Sequence, residues 1–256
     1  MSDFIIQGET LTGLGDQVRR IINTSSAFTP GQMVSKAEKL SLLKFENVVI
    51  MPNQIGWSVS SGAFENLGSH FSKKEVLGID LPTVTSVGSY AFSGYSALTT
   101  ISLPSAVYIG DYAFEYCTRL TSVSLPVATD IGERAFMNCA LRTIDLPAAE
   151  HIGRSAFSPC GGLTSISLPA ATHIGEGAFE YCTSLTSVSL PVAEYIGDSV
   201  FRSSPDLTAI SLPVAEYIGN NAFRDCTALT AVSFPAATSI GKYAFVNCIA
   251  LTSVNL

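Results

Sequence analysis

Apolar and polar positions alternate in the same order, over and over, along most of this chain. The unit is clearest from Leu120 to Ala140, LTSVSLPVATDIGERAFMNCA, and nearly everything from Leu98 to Leu256 is a copy of it. Aligned on the Leu-Pro pair, prolines stand at 82, 104, 126, 147, 169, 191, 213 and 235, so the steps are 22, 22, 21, 22, 22, 22 and 22. A fixed period of about 20 to 29 residues marks a solenoid. Within a unit, Leu98, Ile101 and Leu103 fall on one side of a short extended segment, and Thr100 and Ser102 on the other. Pro104, with no N–H for a ladder, ends the strand. Ile109 and Gly110 form the next corner, where a positive φ is expected. Ala113, Phe114 and Cys117 are spaced to share one side of a short helical turn. Each coil is therefore predicted to hold one parallel strand and one helical turn.

The repeated LTxIxLPxAxxIGxxAFxxC resembles the BspA-like branch of the leucine-rich repeats, a variety common in bacterial surface proteins and in tail-associated proteins of bacteriophages. The resemblance runs from about residue 45 to 256 and implies an α/β leucine-rich-repeat solenoid of about 22 residues per coil. It implies a binding scaffold and not a particular ligand.

Two parts depart from the repeat. In residues 1–42, Leu11, Leu14, Val18, Ile21 and Ile22 recur at helical spacing behind a capping Thr10; Thr29 and Pro30 open a second helix through Met33, Val34, Ala37 and Leu40. This predicts a two-helix module that caps the first coil or attaches the protein to something else. Its wording, GETLTGLGDQVRRI then FTPGQMVSKAEKL, is similar to a segment near the start of phage and prophage tail proteins. Residues 43–75 read as degenerate capping coils, with Val48, Ile50, Met51 and Pro52 echoing the strand, Gly62, Ala63 and Phe64 the later segment, and Trp57 filling space. Residues 76–256 are the regular repeats. At the far end LTSVNL is the strand half of one more coil. Either the natural chain is longer, or Phe245, Val254 and Leu256 meet a second copy or a neighbouring domain.

Composition narrows the function. Hydrophobic residues make up 47% and charged residues only 14%, as a core running along the whole axis requires. No run of about 18 apolar residues marks a membrane span. A net charge of −7 and a pI near 4.9 argue against nucleic acid, which calls for a basic stripe. The first residues, MSDFIIQGETL, have neither the basic nor the apolar region of a secretion signal.

No enzyme is legible. His70, His151 and His173 are the three histidines, no GxSxG or phosphate-binding glycine loop occurs, and parallel columns of like residues do not converge on a point. No catalytic residue, metal or cofactor is expected. Cys117, Cys139, Cys160, Cys182, Cys226 and Cys248 share one repeat position. Coils roughly 5 Å apart keep four of them from one zinc, and although adjacent pairs meet the disulfide distance, a buried reduced ladder is the reading.

Two candidate binding surfaces remain. Four residues after each proline lies the outward column Tyr108, Asp130, His151, His173, Tyr195 and Tyr217, with Ser86 and Ser239 beyond its ends. It reads as solvated surface or as a recognition stripe whose rings stack on sugar faces or peptide groups; Asp130, His151 and His173 as a metal set is the remote option. The second surface is the exposed strand face: Thr100, Ser102, Ser122, Ser124, Thr143, Asp145, Ser165, Ser167, Ser187 and Ser189. Lacking Trp, Tyr and Arg, this hydroxyl carpet is the weaker candidate.

The function expected is a binding or structural protein of a phage tail, in the virion after cytoplasmic synthesis. The alternatives are a cell-surface adhesin, which needs an export signal, and an intracellular interaction scaffold. The partners expected are protein or cell-surface glycan, with self-association or virion contacts through either end.

Overall fold

The computed structural model describes residues 76–256 apart from 82 and 83, together with the strands Phe4–Gln7, Val49–Pro52 and Trp57–Val59. The helices expected from Thr10 and Thr29, the boundary at residue 42, and the echoes at Gly62, Ala63 and Phe64 lie outside the described residues. Phe4–Gln7 is a strand paired antiparallel with Val49–Pro52, from Phe4 opposite Pro52 to Gln7 opposite Val49.

From residue 76 the chain winds a parallel solenoid of about eight turns. Each coil has three sides. The first side carries the predicted strand, three residues long, from Gly78–Asp80 and Thr100–Ser102 through Ser165–Ser167 to Ser253–Asn255. Its middle residue points inward: Ile101, Val123, Ile144, Ile166 and Ile210 are buried. The second side carries a further strand that the repeat pattern does not announce. It is only two residues long in most coils, as in Tyr108–Ile109 and Tyr195–Ile196, yet it builds the longest sheet, nine parallel strands from Trp57–Val59 to Ser239–Ile240. Here too the isoleucine from Ile109 to Ile218 is buried and its predecessor faces out, while Ile240 in the last coil is exposed.

The third side corrects the helical expectation. Among the described residues there is no helix. Tyr112 and Tyr116, two residues either side of Phe114, have φ of 57° and 58°. The same two positions are left-handed in other coils, at Arg134 and Asn138, Ser199 and Ser203, and Asn221 and Asp225. Alternating hands aim alternate N–H groups along the solenoid. Tyr112, Phe114 and Tyr116 donate to the carbonyls of Glu133, Ala135 and Met137 in the next coil at 2.7, 2.7 and 2.9 Å. The residues between them bond backwards within the turn, Glu115 N to Tyr112 O at 3.2 Å and Cys117 N to Phe114 O at 3.1 Å. A helix this short carries its full nucleation cost for few bonds. The forward ladder instead gives each donor a partner in the neighbouring coil.

The glycine after the isoleucine has a different reason from the one expected. Gly110 is not left-handed; a Cβ there would lie 2.6 Å from Ser89 N and 2.7 Å from Gly88 C. It is small because two coils touch backbone to backbone at this corner.

The core is a stack of rings. Phe92, Phe114, Phe136, Phe157, Phe179, Phe201 and Phe223 are buried and lie face to face at 5.1–5.7 Å, with Phe245 closing the row at 5.6 Å. Leucines and alanines fill the corners around them. The cysteines add a hydrogen bond to their packing: each thiol donates to the phenylalanine carbonyl of the coil before, Cys117 to Phe92 O at 3.1 Å and Cys139 to Phe114 O at 3.1 Å. Ser204 makes the same bond to Phe179 O at 3.4 Å, which explains why serine stands in for cysteine there.

Candidate ligand-binding surface

The two-residue strands set the column of outward rings. Their register pairs Asp130 with His151, His151 with His173, His173 with Tyr195 and Tyr195 with Tyr217. Because each strand offers one outward and one inward residue, the rings stand side by side at the spacing of the coils. Tyr195 and Tyr217 stack at 4.9 Å and 4°, His173 and Tyr195 at 6.0 Å and 24°, and His151 tilts 58° against His173 at 5.5 Å. Tyr108 is exposed and separated from this run by Asp130, which accepts a 2.6 Å bond from Thr129 Oγ1. Thr172 Oγ1 is 3.0 Å from His173 Nδ1.

Stacking changes what the column offers. From His173 to Tyr217 the ring faces lie against one another, so between them the edges and the hydroxyls meet solvent, while His151 stands tilted. A sugar ring has no free aromatic face to lie on between His173 and Tyr217. Burial raises the Tyr195 phenol above its ordinary range, with smaller contributions from Tyr217, Asp198 and Glu176.

The hydroxyl face lies where the sequence placed it. Thr100, Ser122, Ser124, Thr143, Asp145, Ser165, Ser167, Ser187 and Ser189 are exposed and Ser102 is half-buried. The threonine that precedes most of these strands ties neighbouring coils together, for the hydroxyls of Thr121, Thr186 and Thr230 donate to the carbonyls of Thr99, Thr164 and Thr208 at 3.3, 3.0 and 2.9 Å.

A second exposed aromatic run sits on the turn side, where the repeat spacing predicts a helix. Tyr90 and Tyr112 stack at 4.6 Å, the Arg134 guanidinium lies 5.5 Å over Tyr112, and the Tyr112 hydroxyl donates to Glu133 at 3.1 Å. Tyr116 and Tyr181 are exposed, with Arg202 lying 6.0 Å over Tyr181 and paired with Glu180 at 3.2 Å. Their left-handed backbone turns these side chains outward, and a single-sequence pattern does not reveal it.

All six cysteines are free, five of them buried. Burial pushes the Cys182 and Cys226 thiols up to about 12, far from the thiolate that metal binding or exchange requires. Among the described residues no group of His, Cys, Asp and Glu is placed to hold a metal ion, Asp130, His151 and His173 included. No helix among the described residues is long and apolar enough to cross a membrane. At the last coil Phe245 is half-buried against Phe223 and Phe234, while Val254 and Leu256 are 51% and 65% exposed.

The BspA type leucine rich repeat region matches residues 44–160 and 150–256, in six copies. The chain belongs to this family. Members of the BspA-type family are typically non-enzymatic binding proteins and are generally surface-associated. No curated protein matches the sequence. Among solved structures, the chain is similar to a T. pallidum leucine-rich repeat protein at 26% identity over 72% of this chain and 84% of that one, TM-score 0.45. It is also similar to a leucine-rich cell surface protein of Faecalibacterium prausnitzii, at 19% identity over 82% and 90%, TM-score 0.35. A leucine-rich repeat protein of Bacteroides ovatus matches at 19% identity over 83% and 91%, TM-score 0.44.

Proposed function

We propose that this BspA-type solenoid is a non-enzymatic recognition protein whose ligand lies along the column from His151 to Tyr217. The observation that carries this reading is the outward ring stack itself, four rings in register on consecutive coils. Aromatic side chains give large contact area at low entropic cost and dominate binding hot spots. The hydroxyl face from Thr100 to Ser189 serves as a weaker secondary surface.

The setting that fits best is a bacterial cell surface, with a protein or glycan of the host or of a neighbouring cell as ligand, because the family match supports it. A phage-tail setting rests on the wording of residues 8–21 and 28–40, for which the comparisons give no support. Contact with a second copy or a neighbouring domain through Phe245, Val254 and Leu256 belongs to the same proposal.

Fluorescently labelled protein is applied to intact bacterial and host cells and to arrays of matrix proteins and glycans, beside the Tyr195→Ala/Tyr217→Ala variant. The variant is expected to fold, since both side chains lie on the surface, and to lose at least about tenfold in affinity, as loss of two hot-spot rings implies. Equal binding by a folded double variant removes the column as the site. Mass spectrometry of washed cell surfaces beside purified phage particles decides the setting; enrichment in particles overturns the cell-surface placement.

A further inference from the structure

The ring column is bordered by acids. Glu150, Glu194 and Glu216 stand immediately before His151, Tyr195 and Tyr217 in the chain, and all three are exposed. Glu194 and Glu216 occupy the same position in adjacent coils, joined by Glu216 N donating to Glu194 O at 2.9 Å. Like charges at the same position of neighbouring strands repel. On the other border, Glu176 and Asp198 follow His173 and Tyr195 at the corner, and both act electrostatically on the Tyr195 phenol. Arg154 pairs with Glu176 at 3.4 Å. Asp198 is committed to the next coil, accepting from Asn220 N at 2.8 Å and Asn220 Nδ2 at 3.0 Å.

Three further arginines of the described residues are held by neighbouring acids. Arg134, Arg202 and Arg224 pair with Glu133, Glu180 and Asp225 on the turn side. The result is a strip in which stacked rings present edges and hydroxyls beside the side-by-side Glu194 and Glu216, with a corner row of Arg154, Glu176, Asp198, Asn220 and Lys242, linked along the coils, on the other border. Neutral sugar is a poor fit between His173 and Tyr217, because there the faces it would stack on lie against neighbouring rings. A chain of cationic side chains is a good one: its methylene stems lie along ring edges while its charged heads reach the carboxylates and relieve their repulsion.

Resting on the reading that this column is the binding site, we propose that its ligand is an extended, Lys- and Arg-rich segment of a partner protein, held across Glu194, Tyr195, Glu216 and Tyr217. Exposed charge pairs contribute modestly and are screened by salt. Affinity therefore comes from several pairs together with the ring edges, and it falls steeply as salt rises.

The test measures binding of a short peptide alternating Lys and Ser, its Glu counterpart, and a neutral oligosaccharide, by calorimetry at low and high salt. Three proteins are compared: the parent, Glu194→Gln/Glu216→Gln, and Tyr195→Ala/Tyr217→Ala. The Lys peptide alone is expected to bind the parent. The glutamine variant should bind about two- to thirtyfold more weakly, as the loss of two exposed charge pairs implies, and high salt should do the same to the parent. Binding of the Lys peptide that neither salt nor the glutamine variant changes, no binding of it, or preference for the sugar overturns the inference. If cell binding is lost in the tyrosine variant but kept in the glutamine variant, the column is the site and only the cationic ligand is wrong. If both variants keep full cell binding, both readings fall together.

Discussion

Replacing Ser199 by glycine should stabilise this protein. Ser199 has φ of 57° and occupies the repeat position that Gly177 fills one coil earlier at φ of 60°. A residue with a Cβ in the left-handed region carries roughly 1–2 kcal/mol of steric cost. Glycine removes that cost and adds back about 0.5–1 kcal/mol of unfolded-state freedom, leaving a net gain of about 0.5–1 kcal/mol. The backbone bonds through this residue, Ser199 N to Asn220 O at 2.8 Å and Arg202 N to Ser199 O at 3.1 Å, involve no side-chain atom and are kept. For a chain of this size the gain corresponds to about 1–4 °C in Tm. A helical turn predicts the opposite sign, since glycine inside a helix loses about 0.5–1 kcal/mol. Gly219→Ala is the control in the other direction. A Cβ there would lie 2.4 Å from both the carbonyl carbon and the oxygen of Gly197. The coils must part, straining the 2.8 Å bond from Gly219 N to Ile196 O, at a cost of about 1–3 kcal/mol or more. Thermal and urea unfolding followed by circular dichroism read both values. A lower Tm for Ser199→Gly would refute the alternating-hand description of the turn side, and no change for Gly219→Ala would refute the backbone contact between coils at the corner.

Two further outcomes follow from the core. The Cys182 and Cys226 thiols, ordinarily near 9 and raised to about 12 by burial, stay protonated in the fold above the pH at which the unfolded chain releases these protons. Their contribution to stability is complete below about pH 9 and is lost as pH rises from 9 towards 12; urea midpoints across that range should fall, and midpoints that stay flat or rise contradict the assignment. Phe179→Ala leaves a gap between Phe157 and Phe201, its stacking partners at 5.3 and 5.7 Å, and should cost about 3–5 kcal/mol in the same unfolding assay; a loss below about 1 kcal/mol would mean that the ring stack does not hold neighbouring coils together.

Much of this molecule is legible in one dimension. The 22-residue step, the inward Leu98, Ile101 and Leu103, the buried ring at Phe114, the free cysteines and the outward Tyr195 all follow from the repeat, because a solenoid contacts only its own neighbouring copies and each position inherits the environment of its column. Local spacing does not decide between a helical turn and an alternating ladder at Ala113, Phe114 and Cys117. Both conformations bury the alanine and the phenylalanine, and they differ in where the N–H groups of Tyr112, Phe114 and Tyr116 go: inward along their own chain, or forward to Glu133, Ala135 and Met137. That choice rests on a partner 21 residues away, and it exists only once the coils are stacked. Gly110 teaches the same lesson, since its Cβ is excluded by the backbone of Gly88 and Ser89 and not by its own φ. The ring column is visible in the sequence as residue types, but its stacking, which covers the faces and leaves edges beside Glu194 and Glu216, comes from coil spacing and register. Residue order determines what each coil contributes; contact between coils decides what is left for a ligand to touch.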